Sequence, residues 1–148
     1  MSVVIRPAQS GDAAAATNIL RRSIALLCVR DHHQDPADLA AWLANKTLAN
    51  VQAWIESDDN YCIVASLHGL VCGFGAMTTQ GLITLCYVDP ATRFAGVSSA
   101  MLAALEQEAG RLGWAVARLT TTQTARRFYL SRGYVPNGEE MEKPLQSQ

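Results

Sequence analysis

The chain has 148 residues, of which 49% are hydrophobic and 17% are charged, and its formal net charge is −1. This length and composition predict one globular domain over residues 1–148 and exclude a disordered protein. The near-neutral charge argues against a nucleic-acid-binding protein, and no apolar run approaches the roughly 20 residues that cross a membrane. We therefore expect neither a nucleic acid nor a membrane as a partner.

The first third of the chain is predicted to hold one short strand and three helices. Apolar residues recur at helical spacing from 13 to 28, which indicates an amphipathic helix. Asp35 and Pro36 are typical of the N-cap and the first position of the next helix. Residues 29–34 between them are expected to form a solvated polar loop. The remaining elements of this part are a strand at 3–6 and a third helical piece at 48–55.

The middle of the chain predicts three consecutive antiparallel strands at 61–66, 70–78 and 82–88. His68-Gly69 and Gln80-Gly81 supply the turns between these strands. A long amphipathic helix follows from Val97, and Gly113 is suited to the position just after it. The last predicted elements are a strand at 115–121, a helix at 122–132 and an extended segment from Tyr134, while the tail from Glu139 has little pattern. This order predicts an α+β (α/β/α-like) domain with a mixed sheet.

The four cysteines and the N-terminus bear on the cellular compartment. Cys28, Cys62, Cys72 and Cys86 show no C-x-x-C spacing, and three of them lie in apolar strand-like runs. Buried reduced thiols are typical of cytoplasmic proteins, whereas a zinc site or a disulfide framework is the alternative. The N-terminus lacks the pattern of a signal peptide. We expect a cytoplasmic protein without a metal site.

Several ordered segments share the pattern of one protein family. They are Ile5-Arg6-Pro7-Ala8 before a helix with Asp12, the hairpin end Val71-Cys72-Gly73-Phe74, Leu85-Cys86-Tyr87-Val88-Asp89-Pro90 with Arg93-x-x-Gly96-x-Ser98, and Thr122-x-x-Ala125-x-x-Phe128-Tyr129-x-x-x-Gly133-Tyr134. In these segments the chain resembles the GNAT superfamily of acyl-CoA-dependent N-acyltransferases over nearly its whole length. The resemblance implies a mixed, mostly antiparallel central sheet flanked by helices, with acetyl-CoA as cosubstrate.

The resemblance also implies where coenzyme A binds. Backbone N–H groups at the start of a helix lack intrahelical partners and lie at the positive end of the helix dipole, so they can bind a pyrophosphate. Gly96 allows close approach because it has no Cβ, and the strand before the loop would pair with the pantetheine arm. The implied cofactor-binding residues are Tyr87, Val88, Arg93, Phe94, Ala95, Gly96, Val97, Ser98, Ser99 and Thr122.

Four positions depart from the family pattern. Ser98 stands where Gly or Ala is usual, Phe94 and Ala95 stand where basic residues or Gly are frequent, and Thr122 stands where Asn is frequent. A small serine still allows a phosphate to come close. The loss of basic side chains would weaken the long-range attraction for the cofactor.

Tyr129 is the candidate catalytic residue, because it resembles the family's general-acid tyrosine. A phenol with a pKa near 10 keeps its proton at neutral pH and can give it to a departing thiolate. The alternative is a core aromatic, since Ala125, Phe128 and Tyr129 share one helix face. Cys86 lies on the central strand, but nothing near it in the sequence indicates an activated thiol.

The acceptor amine must lose a proton, yet the strand at 82–88 contains no glutamate to act as a base. Asp31, His32 and His33 are the candidates for a base elsewhere in the chain, and His32 and His33 are also weak candidates for substrate binding, since histidine titrates near neutral pH. The alternatives for this stretch are a solvated loop and a metal site formed with Asp31 and Asp35. Trp42 and Trp54 either line an acceptor pocket or belong to the core.

The sequence therefore predicts an N-acetyltransferase that transfers an acetyl group from acetyl-CoA to an amine by direct attack in a ternary complex. The acceptor is expected to be a small-molecule or peptide amine. The alternative is a non-catalytic acyl-CoA-binding sensor or interaction module. Members of the family are often homodimers, although no feature of this sequence requires one.

Overall fold

The computed structural model describes residues 3–93 and 95–145. Within these residues seven strands form one sheet in the order β1-β2-β3-β4-β5-β7-β6. The strands are β1 Val4–Pro7, β2 Asn60–Leu67, β3 Leu70–Thr78, β4 Leu82–Val88, β5 Val116–Leu119, β6 Val135–Asn137 and β7 Glu140–Pro144. The helices are α1 Ala13–Leu27, α2 Val29–His32, α3 Pro36–Leu43, α4 Leu48–Glu56, α5 Val97–Arg111 and α6 Arg126–Ser131.

All neighbouring strands pair antiparallel except β4 and β5, which run parallel. This arrangement confirms the predicted mixed, mostly antiparallel sheet. The turn between β2 and β3 is confirmed as well, since His68 and Gly69 both have positive φ angles, 56° and 78°. A two-residue turn of this kind matches the twist of the strands it joins.

Local capping chemistry sets where the helices begin. The Asp35 carboxylate accepts hydrogen bonds from the N–H groups of Ala37 and Asp38, and Pro36 stands at the first position of α3. The Thr47 hydroxyl likewise accepts from the Asn50 N–H at the start of α4. These side chains satisfy backbone donors that have no partner inside the helix.

The helices cover both faces of the sheet, so the core has two layers. One layer lies under α1 and α4 and contains Phe74, which is fully buried. The other lies under α5 and α6 and contains Met101 and Leu105, both fully buried. Burial of apolar surface on both faces of the central strands explains why β2 and β3 are apolar without strict alternation.

Two predicted elements differ in the structure. Residues 29–34 are not a solvated loop, because 29–32 form the short helix α2 and the His32 side chain is only 2% exposed. The predicted helix at 122–132 is shorter, and α6 covers only Arg126–Ser131. The Thr122 hydroxyl accepts a hydrogen bond from the Ala125 N–H at 3.1 Å, so a side-chain turn replaces the first helical turn.

The tail from Glu139, whose sequence has little pattern, contains a further strand. Residues 140–144 form β7, which inserts between β5 and β6. Met141 is buried and pairs with Leu119, while Glu140 and Glu142 alternate with it. One apolar residue gives too short an alternation to identify a strand, and pairing on both sides stabilises it.

Candidate active site

The sheet opens between β4 and β5. These strands pair at only two positions, Leu82 with Arg118 and Ile83 with Leu119. β5 ends at Leu119, whereas β4 continues to Val88. The second half of β4 therefore has a strand partner on one side only, and a wedge opens on the other side.

A β-bulge accompanies this opening. Ala76 pairs with Leu85 but Met77 pairs with Ile83, which leaves Thr84 as the extra residue on β4. The Thr84 hydroxyl donates to the Ala76 carbonyl at 3.3 Å. A bulge bends its strand and increases the local twist, so this one directs β4 away from β5.

The opened edge of β4 offers a backbone donor. The Asp89 N–H donates to the Cys72 carbonyl of β3 at 2.7 Å. Hydrogen-bonded and non-hydrogen-bonded pairs alternate along an antiparallel ladder. The Val88 N–H therefore points away from β3, toward the wedge.

A pocket of about 480 Å³ extends from this wedge to the start of α5. Most of the predicted cofactor residues line it, together with the candidate acid. They are Tyr87, Val88, Arg93, Gly96, Val97, Ser98, Ser99, Thr122 and Tyr129. Ala95 is exposed and is not among the lining residues, and Phe94 lies outside the described residues.

The loop before α5 is held at both ends. The Asp89 carboxylate accepts from the Ala91 N–H at 2.9 Å and pairs with Arg22 of α1 at 2.8 Å. Gly96 then takes a left-handed conformation with φ 81° and ψ 7° directly before Val97. This conformation carries little strain for a residue without a Cβ.

The N-terminus of α5 faces the pocket. The Ala100 N–H makes a helical hydrogen bond to the Gly96 carbonyl at 3.1 Å, so the N–H groups of residues 97–99 precede the helical ladder. Val97, Ser98 and Ser99 all line the pocket. Together with the dipole of a 15-residue helix, this geometry can bind an anion.

Tyr129 lies at the other end of the same pocket and is 7% exposed. Its ring packs edgewise against Phe128 at 5.3 Å and Tyr134 at 5.7 Å between centroids. Burial, followed by the charge of the neighbouring Cys86, raises the Tyr129 pKa well above its ordinary value. The hydroxyl is therefore protonated at neutral pH.

The Cys86 thiol is not activated. Burial raises its pKa to about 12, and the interaction with Tyr129 only partly offsets this. A thiol with this pKa is a poor nucleophile at neutral pH.

His32 and His33 do not line the pocket. The His32 Nε2 lies 3.0 Å from the Ile24 carbonyl, and its Nδ1 accepts from the Gln34 N–H at 3.0 Å. The carbonyl needs a donor and the N–H needs an acceptor, which matches the tautomer with hydrogen on Nε2. His33 is exposed on a left-handed backbone.

Sequence reasoning missed Arg132, which lines the pocket, and it named Asp31 as a candidate base without its contacts. Arg132 donates to the Ser99 hydroxyl at 2.6 Å, and its guanidinium lies 5.0 Å from the Phe128 ring centroid. Asp31 binds Gln123 and Thr124 across the chain. The Arg132 contact joins residues that are 33 positions apart, and the Asp31 contacts join residues 92 and 93 positions apart. No local sequence pattern predicts contacts over such separations.

Comparison with known proteins gives the family. A family model described as Acetyltransferase (GNAT) domain matches residues 28–144. The chain belongs to the GNAT acetyltransferase family. It is thus an acetyltransferase by family, as its resemblance implied, and comparison with curated proteins gave no match.

Solved GNAT structures share the whole fold. A GCN5-related N-acetyltransferase from Rhodopseudomonas palustris is 25% identical with a TM-score of 0.89, over 98% of this chain and 97% of its own. PaiA N-acetyltransferase from Thermoplasma acidophilum, solved with coenzyme A, is 17% identical with a TM-score of 0.84, over 97% and 99%. YncA from Salmonella typhimurium, a putative acetyltransferase solved with acetyl-CoA, is 20% identical with a TM-score of 0.74, over 100% and 96%.

Two further observations concern the described residues. Across 3–93 and 95–145, no group of three or more His, Cys, Asp or Glu side chains is arranged to hold a metal ion. None of the helices in the same ranges is both long and apolar enough to cross a membrane.

Proposed function

We propose that this chain is a single-domain, acetyl-CoA-dependent N-acetyltransferase. One observation carries the proposal: the N-terminus of α5, the open edge of β4 and Tyr129 all face one pocket. The N–H groups near Gly96 would bind the pyrophosphate, and the edge at Tyr87 and Val88 would pair with the pantetheine arm. The complexes of PaiA with coenzyme A and of YncA with acetyl-CoA support this assignment.

The proposed reaction is a direct transfer. The amine nitrogen attacks the thioester carbonyl carbon, the C–S bond breaks, and the electron pair leaves on sulfur. The Val88 N–H is placed to stabilise developing charge on the carbonyl oxygen. Tyr129 gives its proton to the thiolate and regains one from solvent, and the new amide loses the proton of the amine to solvent.

The acceptor is proposed to be a small-molecule or peptide amine. An amine with a pKa of about 10.4 is neutral in only roughly one of 2,500 molecules at pH 7. An amine with a lower pKa, or a base supplied by the acceptor itself, would therefore react faster. We place the reaction in the cytoplasm, since all four cysteines are free thiols.

The test follows thiol release from acetyl-CoA over a panel of small amines and peptides, with Tyr129→Phe as the variant. We expect turnover to fall by about 10²-fold or more, because general acids contribute 10²–10⁴-fold. The dissociation constant for acetyl-CoA should change little, since the ring remains in place. Tyr61→Phe is the matched control, since Tyr61 lies on β2 outside the pocket.

Unchanged turnover in Tyr129→Phe would overturn the acid role. Tight acetyl-CoA binding without thiol release for any amine would instead favour a non-catalytic acyl-CoA sensor. The absence of a glutamate from Leu82–Val88 is the observation behind that second candidate.

A further inference from the structure

We propose that Asp31 is a positioning residue for Tyr129, fastening the turn before α6 to the opposite wall of the pocket. The inference rests on the proposed function of Tyr129. It assigns a role to the acidic residue of the Asp31-His32-His33 stretch, which the reaction itself does not use.

The Asp31 carboxylate makes three hydrogen bonds to this turn. It accepts from the Gln123 N–H at 2.6 Å, from the Thr124 N–H at 3.3 Å and from the Thr124 hydroxyl at 2.6 Å. The N-cap of α6 is Ala125, whose side chain cannot accept a hydrogen bond. Thr122 accepts from the Ala125 N–H within the turn, and Asp31 accepts from the two N–H groups just before Ala125, so the turn is held both locally and from another part of the chain.

Asp31 lies on a helix that is itself anchored to its neighbours. It belongs to α2, which His32 ties to α1 through the Ile24 carbonyl. The buried His32 ring also packs edgewise against Trp42, with 6.2 Å between centroids. Because α2 is held in this way, the Asp31 carboxylate has a fixed position, and its hydrogen bonds fix the position of the turn.

The turn at residues 122–125 determines where α6, the helix that carries Tyr129, begins. The Ala125 N–H donates to the Thr122 hydroxyl, and the Tyr129 N–H donates to the Ala125 carbonyl at 3.2 Å. Cys28 next to α2 and Thr124 in the turn both line the pocket. The Asp31 contact thus joins the two walls between which Tyr129 meets its substrate.

Its hydrogen bonds argue against Asp31 as the base for the amine. Both carboxylate oxygens already accept from donors of the turn, and Asp31 does not line the pocket. A positioning role also accounts for the contact with Thr124, which a base would not need.

The experiment measures kcat and the acetyl-CoA dissociation constant for Asp31→Asn, Asp31→Ala and Thr124→Val, each alone and combined with Tyr129→Phe. We expect Asp31→Ala to lower kcat by about 10²-fold, since a displacement of 1 Å at a reacting group has an effect of this size. Asp31→Asn keeps one acceptor oxygen and should lose less, and Thr124→Val should lose kcat as well. Acetyl-CoA affinity should stay within about threefold of the wild type.

The Tyr129→Phe background decides the outcome. If Asp31 acts through Tyr129, Asp31→Ala added to Tyr129→Phe should cost little further, because the positioned hydroxyl is already gone. An equal loss in both backgrounds would overturn the positioning role, as would full activity of a folded Asp31→Ala protein. Full activity of Tyr129→Phe alone would instead overturn the acid role of Tyr129, on which this inference rests.

Asp38→Asn is the matched control, because Asp38 is exposed in the first turn of α3. It should leave kcat and affinity unchanged. Circular dichroism and thermal unfolding of each variant establish that it is folded. If Asp31→Ala does not fold, the kcat of Asp31→Asn in the two backgrounds serves as the test.

Discussion

At the scale of single residues, burial decides what the reactive groups near the pocket can do. Tyr129 and Cys86 lie beside each other, and burial raises the pKa of both. For tyrosine this keeps the proton that the proposed reaction transfers. For cysteine it suppresses the thiolate, so the same environment keeps Tyr129 protonated and disfavours a cysteine nucleophile.

The raised pKa values of two thiols predict that these thiols resist alkylation in the folded protein. Burial raises the pKa of Cys28 and of Cys86 to about 12, so roughly one thiol in 10⁵ is ionised at pH 7. Iodoacetamide at pH 7 should label neither residue in the folded protein, as read by peptide mass analysis, and both in urea. Faster labelling at higher pH is expected, because the thiolate fraction rises. Rapid labelling of folded Cys86 at pH 7 would contradict the assignment and reopen a covalent route.

At the scale of elements, the unit between β4 and α5 depends on one backbone conformation. Asp89 holds the first part of the loop, and Gly96 turns the chain into α5. A Cβ on Gly96 would meet no atom within 4 Å. The requirement for glycine within the protein is therefore the positive φ angle rather than crowding.

We expect Gly96→Ala to destabilise the protein by about 1–2 kcal/mol, the cost of a left-handed conformation for a residue with a Cβ. It should also weaken acetyl-CoA binding, as measured by calorimetric titration. Gly11→Ala is the control, since a Cβ there also meets open space and the backbone has no positive φ. Equal stability of the two variants would show that the loop relaxes to another conformation.

At the scale of the whole molecule, two core layers hold the sheet whose opening forms the pocket. Phe74 on β3 is fully buried among residues of the α1 and α4 layer, and its strand neighbour Tyr87 lines the pocket. Packing on the face covered by α1 and α4 therefore supports β4, the strand that lines the pocket. A cavity there would reduce the stability of the whole domain.

We expect Phe74→Ala to lower the free energy of unfolding by about 3–5 kcal/mol, the range for buried phenylalanine. Urea unfolding followed by circular dichroism measures this change. Leu70→Ala on the same strand is the control, since Leu70 is 73% exposed and should shift stability by no more than about 0.5 kcal/mol. A loss below about 1 kcal/mol for Phe74→Ala would mean that the layer repacks.

Sequence alone determined the elements whose signals are local. The spacing of apolar residues predicted α1, and the Asp35-Pro36 cap predicted α3, because both depend on residues within a few positions. Family resemblance supplied the mostly antiparallel sheet and the residues from Tyr87 to Ser99. These predictions needed no knowledge of which distant segments meet.

Only the tertiary structure decided the features that depend on distant contacts. β7 exists because β5 and β6 pair with it, and the His32 ring is buried because α2 folds back onto the Ile24 carbonyl. Asp31 reaches Thr124 across 93 positions. Such hydrogen bonds form only after the chain has folded, and no sequence period encodes them.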